Sequence, residues 1–310
     1  MKHQKFDNPD VSFFAGLMSV FLCVIFGSNA VAIKLAFAGV GIFTTAAIRF
    51  SIAALAIFIW AKATGQTIGL KKGQLHQVLI LAALFVIQLS MFYFGLSKSN
   101  ASRGTLLANL VPFWILFLAH FYIPGDRITG RKITGIFLGF GGVVFMFAET
   151  AGVAAGFRTA ELIILLATFI WACSVVYLKR IIDDFNPFQV TLYSMAFAVP
   201  VFFIEALLWD APMVTSLDAK IIGALLYQSL VTAAFGFVAW NTLLQKYGAV
   251  ALHSFIFIMP ISGVALGGLI LGEPITLKIL TALALIVAGI LVVHLKPRKA
   301  EPVYQIQKGI

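Results

Sequence analysis

The stretch FFAGLMSVFLCVIFGSNAVAIK, residues 13–34, is apolar as far as Phe26 and then closes on Gly27, Asn29 and Lys34. About 20 apolar residues in a helix cross a hydrocarbon core of about 30 Å. An amide and an ammonium at the end of such a run need an explanation, because lipid offers them no hydrogen bond. Similar runs recur along the 310 residues, of which 61% are apolar and 11% charged, with a mean hydropathy of +1.01. That composition excludes a soluble domain. The runs are too long and too uniform for barrel strands, so the chain reads as an all-α membrane protein.

Turn signals cut the chain into ten expected transmembrane helices, at 12–35, 42–61, 76–97, 101–121, 133–149, 160–180, 188–208, 221–244, 249–271 and 275–295. The net charge of +10 would suggest nucleic acid in a soluble protein. Here the cations sit in loops: fifteen Lys and Arg fall on the side of the termini, six on the other, and Arg49 lies within a span. That bias places both termini in the cytoplasm and implies the bilayer, not nucleic acid, as partner. Residues 1–10 lead into a span without a small-residue cleavage site, so the first span reads as retained. Cys23 and Cys173 fall inside spans and fit small buried hydrophobes better than a disulfide or a metal site. No cofactor is implied.

The chain repeats itself. FGSNAVAIK (26–34) aligns with WACSVVYLK (171–179), matching Asn29 with Ser174 and Lys34 with Lys179. Further on, Lys98 pairs with Lys246, Pro112 with Pro260, DRITGRKITG (126–135) with EPITLKILTA (273–282), and Gly142 with Gly289. Each half then holds five spans. Five is odd, so the second half enters the membrane in the opposite sense, an inverted repeat of the kind found in secondary transporters.

These halves resemble two copies of the EamA module of the drug/metabolite transporter superfamily. The resemblance rests on Phe26–Asn29 with Lys34, IRF (48–50), Leu110–Pro112, GDRIT (125–129) with GIFLGFGGV (135–143), IMP (258–260) and LGEPIT (271–276). It divides the chain into a first module (1–149), a second (150–295) and a cytoplasmic tail (296–310). Ser194 stands where a second Arg49 belongs, and Trp171-Ala172 replaces Phe26-Gly27, so the halves are not equivalent. The resemblance implies a multi-pass carrier of the cytoplasmic membrane, with a cavity built from spans one, three, four, six, eight and nine. It implies a small organic metabolite as solute, amino acids above all, and export as the direction.

No enzyme signature is present: no HExxH, no GxSxG, no P-loop. Glu149, Glu161, Glu205 and Glu273 fall near span ends, where water and headgroups would solvate them. Without a deep carboxylate, the reading points to facilitated diffusion, or to coupling through His253 or Lys34. The expected solute contacts are Asn29, Gln88, Phe92, Trp171, Ser174, Tyr177, Trp240 and His253. Several share helical faces: Phe26 with Asn29; Phe85, Gln88 and Phe92; Trp171, Ser174 and Tyr177; Thr232, Gly236 and Trp240. The bland alternative is ordinary core, since 30 phenylalanines line up somewhere by accident and amides hold helices together. Lys34 either snorkels or meets an anion. Arg49 is costly in lipid and is expected to have a structural partner at a loop or helix end. Pro112 and Pro260 are expected mid-span hinges. The GxxxG pairs Gly135/Gly139 and Gly263/Gly267 suit close contact, within one bundle or in a homodimer.

Rival solutes fit less well. Nucleotide-sugars would need several cavity cations, and only Lys34 and Arg49 offer themselves. Lipophilic cations would want a cavity carboxylate. A membrane-embedded enzyme would need a catalytic cluster.

Overall fold

A computed structural model describes residues 12–122, 129–149, 155–253 and 255–294, and it is helical almost throughout. The order is α1 (Phe13–Ala36), α2 (Ile42–Ala63), α3 (Gln74–Ser97), α4 (Ala101–Ala108), α5 (Val111–Tyr122), α6 (Gly130–Glu149), α7 (Ala155–Ile181) and α8 (Pro187–Trp209). Then come α9 (Ala219–Leu226), a π-helix (Tyr227–Gly236), α10 (Phe237–His253), α11 (Ile258–Leu271) and α12 (Leu277–His294). No strand occurs among the described residues, only an isolated bridge between Val40 and Val214. Eight helices are long and apolar enough to cross a membrane, and Ile258–Leu271 and Leu277–Val293 are shorter apolar ones. The chain is an all-α membrane protein of about ten spans. The tail and the loop carrying Asp126 lie outside the described residues.

Two boundaries differ from the sequence expectation. α10 stays helical to His253 instead of ending near residue 244, and the turn at Phe255–Phe257 precedes α11. His253 therefore ends span eight rather than opening span nine, and its side chain lies outside the described residues. The fourth span is broken rather than kinked. Asn109 Nδ2 donates to Thr105 O at 2.8 Å, Leu110 N bonds Leu107 O at 3.0 Å, and α5 restarts beyond. Pro112 and Pro260 both sit in the first turn of a new helix, α5 and α11, where a missing N–H costs nothing. Pro200 of α8, by contrast, is interior to its helix.

Helix ends follow local chemistry where it is available. Asn186 and Gln189 form a reciprocal capping box at α8 with Pro187 in the first turn, and Asp218 Oδ1 accepts from Ile221 N at 2.8 Å. α2 and α4 have no side-chain cap of their own. Carboxylates from the far part of the chain supply it. Asp210 accepts from Thr44 N at 2.6 Å and Thr44 Oγ1 at 2.9 Å, and Glu273 accepts from Ala101 N at 2.6 Å and Ser102 N at 2.8 Å.

The packing is the same in kind when the two five-span portions are exchanged. α2 lies on α8 and α6 on α12; α3 lies on α7 as α1 lies on α9, the π-helix and α10; and α1 lies on α11 as α4–α5 lie on α7. Glycines set the closest approaches. A Cβ on Gly263 would sit 2.8 Å from Gly27 O, and one on Gly289 would sit 2.7 Å from Gly135 O. Both GxxxG pairs are thus spent inside the bundle: Gly139 meets Phe113 and Gly289, and Gly267 meets Ser102 and Glu273.

Candidate substrate cavity

The inner face of α1 carries Phe26, Asn29 and Ile33 at helical spacing, continued by Phe37 at the C-cap. The Phe26 ring lies 5.7 Å from Phe237 and 5.8 Å from Trp240, edge-on to the latter. Gly236 makes room for it, since a Cβ there would stand 3.0 Å from Phe26. At the other end of the face, Phe37 meets Tyr93 of α3 at 5.9 Å. Between these aromatic contacts sits Asn29, whose buried Oδ1 has no hydrogen-bond partner. Gln88 Oε1 and Thr232 Oγ1 are also buried and unpartnered, at 5% and 1% residue exposure. Phe92 lies one turn beyond Gln88, nearly buried in the main apolar cluster. An unmet buried polar group costs about 1–3 kcal/mol, so three of them on inward faces are groups for a solute or water to satisfy.

The π-helix explains how span eight reaches so many neighbours, and sequence periodicity gave no sign of it. Its wider turn, rare and concentrated at functional sites, sends successive side chains to different helices. Tyr227 OH lies 2.6 Å from Ser28 Oγ of α1, and Phe235 stacks on Trp60 of α2 at 6.5 Å. Gln228 Oε1 accepts from Tyr93 OH of α3 at 3.3 Å.

That tyrosine also receives Arg49. The guanidinium is 2% exposed, Nη1 donates to Tyr93 OH at 3.0 Å, and the charge lies 5.0 Å from the Phe50 ring. The expected partner at a loop or helix end is not what holds it. The Tyr93 phenol and the Phe50 ring do, and Arg49 Nε and Gln228 Nε2 remain unpartnered. Ser194, which replaces this arginine in the second half, bonds its own helix at Val190 O, 2.7 Å away.

The carboxylates correct the expectation of solvated span ends. Glu161 is 0% exposed and takes both Nε and Nη2 of Arg103, which also donates to Met146 O at 2.8 Å. Glu273 caps α4, and Glu205 accepts from Ser90 Oγ at 2.8 Å. The Glu149 side chain lies outside the described residues. Lys34 Nζ donates to Ser99 O at 2.9 Å and Leu96 O at 3.3 Å, closing the carbonyl end of α3, and the Glu273 carboxylate acts on its charge.

The three span-six candidates separate. Ser174 is buried, Trp171 is 36% exposed, and Tyr177 joins a cluster with Val78, Leu81, Ile181, Phe185 and Val190. Phe26 ties α1 to Trp240, while Tyr177 belongs to a different neighbourhood.

The profile of the EamA-like transporter family matches residues 13–148 and again 158–295. The chain belongs to that family. A "Probable amino-acid metabolite efflux pump" of Escherichia coli (strain K12) is 27% identical, covering 84% of this chain and 88% of its own. A Salmonella typhimurium protein of the same name is 25% identical over 89% and 93%. The uncharacterized transporter YvbV of Bacillus subtilis is 27% identical over 91% and 92%. A solved crystal structure superposes with a TM-score of 0.69, covering 91% of this chain and 96% of that one at 18% identity, a likeness of fold. This EamA-like protein is a multi-pass membrane transporter, and its relatives are named as transporters rather than enzymes.

Proposed function

We propose that this EamA-like transporter is a secondary carrier that moves amino acids or closely similar metabolites outward across the cytoplasmic membrane. Its two five-span halves, inserted in opposite senses with both termini in the cytoplasm, would rock around a shared interior and expose it to each side in turn. The observation that carries the reading is the inward face of α1, where Asn29 stands with an unmet acceptor beside the Phe26–Trp240 aromatic pair. Rings of this kind bury an apolar or aromatic side chain, and amides fix its polar end. The relatives named as amino-acid metabolite efflux pumps support the solute class and direction. Exchange-symmetric packing supports the rocking motion.

Purified protein in liposomes, screened by counterflow across labelled amino acids with and without a pH gradient, tests this. Accumulation of at least one amino acid is expected, falling on the order of 10-fold or more in Asn29→Ala and Trp240→Ala, a loss of about 1.4 kcal/mol or more. Asn29→Ala should unfold close to the wild-type temperature, whereas Trp240→Ala removes a packed ring and should also lower the midpoint. Normal transport by both would end this cavity assignment.

A further inference from the structure

Arg49 is a buried charge that the packing leaves without a counter-charge. Among the described residues it has no carboxylate partner. Nη1 is used by Tyr93 OH, whereas Nε is buried without a partner and no hydrogen bond from Nη2 occurs. The Nε–Nη2 edge is the fork that takes a carboxylate with two parallel bonds. The molecule itself demonstrates this, because Arg103 presents the same edge to Glu161. The phenol that engages Arg49 is also tied to Gln228, whose Nε2 is a second buried donor without an acceptor. The group therefore carries a positive charge and surplus N–H donors at 0–2% exposure. A buried cation inside a membrane bundle marks a solute pathway unless the protein neutralises it.

We propose that the Nε–Nη2 edge of Arg49, joined through Tyr93 to the amide of Gln228, is the subsite for the carboxylate of the transported solute. This rests on the carrier reading and narrows it to carboxylate-bearing solutes. Arg49 is buried in the present conformation, and opening of the bundle presents its free edge. The anion then neutralises the guanidinium and accepts from Gln228.

The probe is phenylacetate against phenylacetamide, identical in shape but for the charge, added at equal ionic strength to protein in nanodiscs. Thermal unfolding is followed for wild type, Arg49→Gln, Arg49→Lys and Gln228→Leu. Phenylacetate should raise the wild-type midpoint in a saturable way and phenylacetamide should not. The half-saturating concentration should rise on the order of 10- to 100-fold in Arg49→Gln. Arg49→Lys keeps the charge without the fork and should fall between. If Arg49→Gln does not fold, Arg49→Lys and Gln228→Leu carry the comparison. Equal responses of wild type to acid and amide, or an undiminished acid response in every variant, would overturn the subsite. The counterflow screen is a separate readout: a carboxylate response without amino-acid transport sinks the proposed function and keeps the subsite, and the reverse sinks the subsite alone.

Discussion

Arg49 and Arg103 are equally hidden, at 2% and 3% exposure, and the bundle treats them oppositely. Arg103 is met by a fully buried carboxylate and a backbone carbonyl, so α4, α6 and α7 converge on a neutral group. Arg49 is met by a phenol and the face of a ring. The first arrangement is complete without any ligand. The second keeps its charge and most of its donors, which a protein built only for stability would have paired or replaced. The difference teaches that burial alone does not separate a structural arginine from a functional one. The inventory of acceptors does.

The comparison breaks most easily at Glu161. Glu161→Gln strands a buried guanidinium and should cost about 3–5 kcal/mol, read as a large drop in unfolding midpoint in detergent. Replacing both partners, Arg103→Met with Glu161→Leu, should recover most of that loss. A midpoint unmoved by the single change would dissolve the contrast. Next comes Tyr93→Phe, which leaves Arg49 Nη1 and Gln228 Oε1 without partners and should cost about 1–3 kcal/mol. Smallest is Arg49→Met, which removes the uncompensated charge together with its desolvation penalty and should change stability by less than about 1 kcal/mol. The ordering is the sharp part: losing the phenol should hurt folding more than losing the arginine it serves. Were Arg49→Met as damaging as Glu161→Gln, Arg49 would be a strut like its counterpart.

Much of the bundle was legible because lipid imposes a length and a polarity on every span. Apolar runs bounded by Thr64-Gly65, Asn186-Pro187 and Glu273-Pro274 located the helices to within a few residues. The failures share one cause. Position along a span shows how close a residue is to water but not which helix stands beside it, so Glu161 read as solvated when Arg103 encloses it. The π-helix was hidden for a similar reason, since an extra residue in a turn shifts a periodicity without erasing it. Gly236, four residues before Trp240, leaves room opposite bulk, and the Phe26 ring takes it. The Arg49–Tyr93–Gln228 group joins positions far apart in the chain, and no local pattern connects them.

The acidic caps carry a consequence for how this molecule is made. α2 and α4 are synthesised early, yet the groups that quiet their first amides, Asp210 and Glu273, leave the ribosome long afterwards. Until then those helix starts depend on interfacial water or on the insertion machinery. The early half is thus an unfinished object in the membrane, and its completion is timed by translation of the late one.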